Sequence, residues 1–326
     1  MWYRQDPIFQ HFTEKNKQIL FDQPRLINDS LRNQARLEAV WADGFDLDTI
    51  LPRCKKTKTV IVTNAVVNCD PEFWPYIHTT APSYYGYMAA VYNVDPATPV
   101  TRAFNCFNNR FDIFRQSWFY QLIRRDLLDL GYVSFNCEVA PNRMPNRNFQ
   151  GLSAQQCFEY AFENYNQIFA HEHEQIKSLV PYKSFEDSGD LTPLILASKF
   201  SIVLETWFHD NRILTFSEKT MRCLQLPRPW ILFSTQYAVR HLRHLGFDVM
   251  DDLVDHSYDT EADPVQRQIK MLDIAQQMVH WDISTVTNRC QQASQHNQNL
   301  LQSWHGDWQV NIEHDYELAR QKALAL

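Results

Sequence analysis

Short apolar, β-branched runs alternate along this chain with longer stretches whose apolar residues recur every three or four positions. That alternation of period predicts an α/β layer structure. TKTVIVTNAVVN (57–68) follows a basic run and reads as a buried strand. TPVTRAFNCFN (98–108), YVSFNC (132–137), the SIVLET portion of SKFSIVLETWF (198–208) and RPWILFS (228–234) read the same way. Helical spacing marks LRNQARLEAVWADGF (31–45), with Gly44 near its end, and FDIFRQSWFYQLIRRDLLDLG (111–131), closed by Gly131. It recurs over 154–180, in SEKTMRCLQL (217–226) behind Ser217 as an N-cap, and in TQYAVRHLRHLGF (235–247). Residues 265–302 form a long helical tract broken once, and the last 20 residues are helix-compatible.

Polar, proline-containing stretches punctuate this pattern at 141–148 and 183–193. The break near 141–153 predicts two α/β halves, 1–150 and 151–265, with C-terminal helices (266–326) packing back over them. Composition narrows the class. The 326 residues are 44% hydrophobic and 21% charged, a globular balance with 13% aromatics to fill a large core. Only 7 residues are glycine, and neither G-x-G-x-x-G nor G-x-x-x-x-G-K-[ST] occurs. Glycine-lined dinucleotide and P-loop phosphate sites are thereby disfavoured. The formal net charge of −7 is not the footprint of a protein that coats nucleic acid. No run of apolar residues is long enough to span a bilayer, and MWYRQDPIFQHF has no apolar secretory region, so the expected location is cytoplasmic. The 7 cysteines are odd in number, widely spaced and without C-x-x-C, which predicts free thiols in a reducing compartment and no zinc site.

The densest chemical signal is residues 205–247: strand, polar loop, Ser217-Glu218-Lys219 at a helix start, then strand and helix. A helix N-terminus offers free N–H groups and the positive end of a dipole, which suits phosphate, and Lys219 adds a point charge. Glu218 is able to accept hydrogen bonds from ribose or sugar hydroxyls. Glu205, ending a strand, faces the crevice where open α/β sheets take ligands. Arg228, beside Pro229, is a further phosphate candidate. Ordinary helix capping explains Ser217 and Glu218 equally simply. In the first half, NNRFDIFR (108–115) is a second loop-to-helix junction after a strand. There Arg110 and Arg115 are candidates to grip phosphate or acceptor, and Asp112 is a candidate general base, with Glu138 beyond YVSFNC as the other. HEHE (171–174) is not a metal pair, because His171 and His173 point to different helix faces.

The segment from Glu205 through Ser217, Glu218 and Lys219 to RPWILFS resembles the donor-binding signature of α1,3-fucosyltransferase-type glycosyltransferases, over roughly 45 residues. Its loop between Glu205 and Glu218 is longer than in that family, and the glycine before the Pro-containing strand is absent. The chain also resembles uncharacterised proteins of phages and marine microbes in its S-E-K-T, R-P-W-I and DHSYD (255–259) stretches. The resemblance implies a fold of two Rossmann-like domains (the GT-B type), with acceptor binding in 1–150 and the nucleotide-sugar in 151–265. It implies sugar transfer from a nucleotide-sugar to an acceptor hydroxyl, with no metal and no cofactor beyond that co-substrate. Glu205, Ser217, Glu218, Lys219 and Arg228 would then bind the donor, Arg110 and Arg115 the phosphate or acceptor, and Asp112 or Glu138 would take the acceptor proton. Acceptors compatible with it are a hydroxymethylated base in phage DNA, a saccharide precursor and a protein. DNA would require a local basic face from Arg102, Arg110, Arg115, Arg124 and Arg125. Competing readings are a non-enzymatic α/β binding or assembly protein and a nucleotide-dependent enzyme outside glycosyl transfer.

Overall fold

The computed structural model describes residues 36–39, 47–63, 65–79, 85–86, 88–89, 92, 94, 98–108, 113–135, 191–205, 211–306 and 308–325. In chain order the strands are β1 (Arg36–Ala39), β2 (Thr59–Thr63), β3 (Val66–Val67), β4 (Ile77–Thr79), β5 (Arg102–Asn108), β6 (Gly131–Phe135), β7 (Ser198–Leu204), β8 (Ile213–Leu214) and β9 (Trp230–Phe233). The helices are α1 (Leu47–Thr57), α2 (Ile113–Arg124), α3 (Thr192–Leu196), α4 (Glu218–Gln225), α5 (Ala238–His244), α6 (Pro264–Val279), α7 (Thr287–Gly306) and α8 (Trp308–Ala325). The protein is mixed α/β with parallel sheets, as its alternating periods predict.

The chain divides into two compact units, each built from separated segments: Met1–Ala90, Thr206–Met221 and Gln298–Leu326 in the first, Val91–Glu205 and Arg222–Asn297 in the second. The boundary expected near 150 lies outside the described residues, and the segments group differently from the halves it would separate. β5 pairs in parallel with β7, so a strand assigned to the first half shares a sheet with one from the second. Buried parallel strands need a neighbour on each side, and β7 satisfies the free edge of β5 left after β6 has paired.

In the first unit a three-stranded parallel sheet runs β1-β2-β4. All five residues of β2 are buried, which explains its unbroken β-branched sequence. Leu47, Leu51 and Cys54 of α1 form a core with Ile61, Ala65, Ile77 and Ile213. Of the range 31–45, expected to be helical, the described residues Arg36–Ala39 form strand β1. Its parallel ladder with β2, from Arg36–Thr59 to Ala39–Val62, outweighs a modest helical periodicity. The run 57–68 is likewise two elements, because β3 leaves the sheet to pair antiparallel with β8.

In the second unit the sheet is four-stranded, parallel and ordered β6-β5-β7-β9. The chain moves outward from β5 to β6, returns to the other side of β5 with β7, and continues outward to β9. Its direction therefore reverses between β5 and β7, the arrangement of a doubly wound sheet. α2 and α6 cover one face: Trp118 meets Phe233 edge-on at 5.6 Å, and the Ser117 hydroxyl donates to Gln268 Oε1 at 3.1 Å. α2 closes earlier than Gly131. Asp126 takes a left-handed conformation (φ 53°), while the N–H groups of Asp126 and Leu127 bond the carbonyls of Ile123 and Leu122. This is a Schellman closure with Asp in place of Gly. Gly131 instead opens β6 beneath Phe104, whose ring lies 2.4 Å from where a Cβ would stand.

Candidate functional site: the carboxyl edge of the doubly wound sheet

Register fixes what stands at this edge. Asn105 pairs with Ser201 and Leu204 with Phe233, so Asn108, Leu204 and Phe233 form the last row of β5, β7 and β9. Glu205 follows immediately, its N–H donating to Phe233 O at 2.9 Å. Level residues of parallel strands share a face, and successive residues alternate. Cys106 and Asn108 therefore lie on the α2 side, and Ser201 and Glu205 belong to the opposite face. Asn108 Nδ2 donates to Cys106 Sγ at 3.3 Å, and the Asn108 N–H donates to Ser134 Oγ at 3.0 Å. On the opposite face Asn105 Nδ2 donates to Ser201 Oγ at 2.9 Å.

Two of the expected site residues thus sit at the switch point of one sheet. Glu205 ends β7 and is 2% exposed. Arg115, in the first turn of α2, is 3% exposed and donates from Nη2 to Leu204 O at 3.3 Å. A buried guanidinium on one side and a buried carboxylate at the same edge make this a polar end to an otherwise apolar sheet. The nearby thiols are not nucleophiles. Burial pushes Cys106 up to about 12 against the opposing hydrogen bond from Asn108 and the charge of Arg115. Burial likewise pushes Cys223 up to about 11. Both stay protonated at neutral pH.

Ser217, Glu218 and Lys219 fall in the first unit. β8 leads into Phe216, which is fully buried and packs its ring 5.7 Å from that of Tyr85. Ser217 Oγ accepts the Lys219 N–H at 3.3 Å, the N-cap bond that its sequence position predicts. Phe216 before the cap and Met221 at the fourth helical position are both buried, the placement of a hydrophobic staple. Lys219 Nζ pairs with Glu218 Oε1 at 2.6 Å, with both side chains about one-third exposed, at 31% and 28%. The two groups read as donor ligands therefore hold one another at the start of α4.

Arg228 has a different role from the phosphate contact expected of it. It is 4% exposed and donates from Nε to the carbonyls of Leu196 and Ser198, from Nη1 to Pro227 and from Nη2 to Leu196. Its planar donor fork ties the end of α3 and the start of β7 to the entry of β9. Asp112, Arg110 and Glu138 lie outside the described residues, as do HEHE (171–174) and the helix expected over 154–180. The arginines named for a basic face do not share one environment: Arg115 is buried, Arg125 pairs with Asp273 at 2.6 Å, and Arg102 lies over the Tyr132 ring.

The DHSYD stretch is structural. Asp259 accepts the N–H groups of Val239 at 2.8 Å and Arg240 at 2.9 Å, occupying the N-terminus of α5. His256 and Tyr258 form a chain of bonds with one consistent direction. The Leu232 N–H donates to Tyr258 Oη at 3.1 Å, the Tyr258 hydroxyl donates to His256 Nδ1 at 3.0 Å, and His256 Nε2–H donates to Val249 O at 2.9 Å. That pattern requires a neutral imidazole, and burial lowers its pKa accordingly. Asp251 and Asp252 are engaged by Arg243 and Arg289, whose hydrogen bonds hold both carboxylates below their ordinary range. Among the described residues no group of three or more His, Cys, Asp or Glu is placed to hold a metal ion, and no helix is long and apolar enough to cross a membrane.

No protein-family model, no curated protein and no solved structure matches the chain. The site therefore rests on its own geometry. Two of its residues were not singled out by motif. Asn108 closes the FNCFN run and Thr235 follows β9, and each carries a buried side-chain oxygen with no hydrogen-bond partner among the described residues. The available signal for Asn108 was an amide ending an apolar strand; Thr235 carried none.

Proposed function

We propose that the protein is a nucleotide-sugar-dependent glycosyltransferase acting on an acceptor hydroxyl. The observation that carries this reading is the buried Glu205 at the carboxyl end of β7, beside the β5–β7 switch point, where open α/β sheets bind ligands. The sequence resemblance from Glu205 through Ser217-Glu218-Lys219 adds the donor class. In this reading the start of α4 and Lys219 stabilise the charge that grows on the departing diphosphate, and Lys219 exchanges its Glu218 partner for phosphate. Glu205 and Glu218 are each candidates to accept hydrogen bonds from ribose or sugar hydroxyls. Arg115 counters negative charge at the sheet edge. Asp112 or Glu138, which follow β5 and β6 in sequence, takes the acceptor proton. A fold of two Rossmann-like domains belongs to the same proposal, and a saccharide precursor or a protein fits it as acceptor better than a DNA base, since Arg102, Arg115 and Arg125 do not share one environment. Arg228 is left out of the donor site, since its guanidinium is committed to backbone carbonyls.

A thermal-shift screen against UDP, GDP, CMP and dTDP and their sugars tests it. One nucleotide class is expected to raise Tm, by the equivalent of about 2.7 kcal/mol at a hundredfold excess over Kd. Lys219→Ala should abolish the shift without lowering the ligand-free Tm appreciably, because its ion pair with Glu218 is partly exposed. The Lys219–Glu218 pair and the Ser217 cap favour a second reading, a non-catalytic α/β binding protein in which this helix start is merely well capped. Absence of any nucleotide-dependent shift and of sugar-nucleotide hydrolysis would select it.

A further inference from the structure

We infer that Asn108 and Thr235 bind the hydroxyl groups of a sugar or ribose at the carboxyl edge of the β6-β5-β7-β9 sheet. This inference deepens the glycosyltransferase reading and rests on it for the ligand class. Its foundation is a contrast within one strand. Asn105, inside β5, has its amide satisfied by Ser201 Oγ at 2.9 Å and Phe200 O at 3.3 Å. Among the described residues, Asn108, three residues on and 5% exposed, has Cys106 Sγ alone for its amide nitrogen and no partner for its Oδ1. A native fold rarely leaves a buried acceptor unmet, because the lost hydration is not repaid, and such a group calls for an explanation.

Thr235 repeats the situation two strands away. It lies two residues beyond Phe233, is 1% exposed, and its Oγ1 has no partner among the described residues. It does not cap α5, whose free N–H groups at Val239 and Arg240 are taken by Asp259. Asn108 is the last residue of β5 and Thr235 lies just past the end of β9, so both oxygens stand at the carboxyl edge of the sheet, the side from which open α/β sheets take ligands. β5 and β9 are separated by β7, about 10 Å at ordinary strand spacing, so the two groups meet different parts of one extended molecule. An amide oxygen and a hydroxyl oxygen are both able to accept hydrogen bonds. The matching ligand is rich in O–H donors, as a polyol is; the Arg115 guanidinium at the same edge suits an attached phosphate.

The test uses Asn108→Leu and Thr235→Val, each close in size to the residue it replaces, in the full chain. Tm and calorimetric binding are measured with UDP-glucose, GDP-mannose and glucose 1-phosphate as probes. Removing an unmet acceptor should leave the ligand-free Tm unchanged or raised, while affinity for the bound probe falls at least tenfold. A variant that folds and binds like the wild type overturns the inference, even if Lys219→Ala abolishes nucleotide binding; the donor reading then stands alone. Binding of glucose 1-phosphate but no nucleotide-sugar, lost in Asn108→Leu, upholds the inference and removes the nucleotide from the reading. No binding of any probe by the wild type overturns both. Should Asn108→Leu fail to fold, Thr235→Val carries the same outcomes.

Discussion

A single buried side chain is decided by where its donors and acceptors go. Arg228 was chemically eligible for a phosphate contact, yet it donates to three backbone carbonyls, those of Leu196, Ser198 and Pro227. Truncating it to Leu would strand those carbonyls in a dry site, at a cost expected to be about 3 kcal/mol. Urea unfolding should show this as a lowered midpoint, and nucleotide binding by the folded fraction should be unchanged. Gly131 is constrained by shape instead. An added methyl would meet three atoms of the Phe104 ring at 2.4 to 2.8 Å, and that ring is itself fully buried. Gly131→Ala is expected to lose about 1–3 kcal/mol through overpacking, again read from the unfolding midpoint. Neither effect was legible from residue type. An arginine before a proline and a glycine after a helix carry the same letters whether they face a ligand, a carbonyl or a ring.

Among the elements, strands were better marked than helix limits. β2, β5, β7 and β9 each fall inside a run of apolar and β-branched residues, because parallel strands buried on both faces leave no room for polar alternation. β1 was misjudged as helix, since four residues whose main requirement is to pair with β2 need no strong pattern of their own. The long tract over 265–302 is indeed two helices, α6 and α7, separated at His280–Val286, where Asp282 caps a short turn by accepting the Ser284 N–H. The junction of β9 and α5 yields a pH prediction. Neutral His256 accepts the Tyr258 hydroxyl, and burial lowers its pKa from the ordinary 6.5. Below that value the unfolded chain binds a proton that the folded chain refuses, so stability falls with acid. Asp251 and Asp255 oppose this and Arg243 reinforces it. Between pH 7.5 and 5.5 the loss attributable to this ring is at most about 1.4 kcal/mol, one pH unit below the ordinary value. Comparing the urea midpoints of wild type and His256→Gln at both pH values isolates it, because His241, also lowered by burial, is common to the two.

For the whole molecule, pairing across sequence distance governs what is a folding unit. Residues 1–150 contain β5 and β6 but not β7, which covers the other edge of β5. That fragment would expose Phe104 and Cys106, both buried in the chain, beside an unpaired parallel strand edge. Expressed alone, it is expected to lack a cooperative urea transition by circular dichroism; a sharp transition would contradict the sheet order. The net charge of −7 also bears on partners. With Arg115 buried and Arg125 paired, binding to unmodified duplex DNA should be undetectable by fluorescence anisotropy at physiological salt.

The sequence by itself determined the α/β class, most strand positions, the Ser217 cap and the candidacy of Glu205, because each follows from periodicity or from chemistry within a few residues. Five cysteines, Cys54, Cys69, Cys106, Cys223 and Cys290, are free thiols as their spacing suggested. Only the tertiary structure decided that β5 and β7 are neighbours, that Arg228 is a backbone clamp, and that Asn108 at the end of β5 and Thr235 just past β9 carry oxygens unmet among the described residues. Those facts depend on contacts between residues roughly 30 to 100 positions apart, and the free energy of such contacts comes from exclusion of water, which no local pattern encodes.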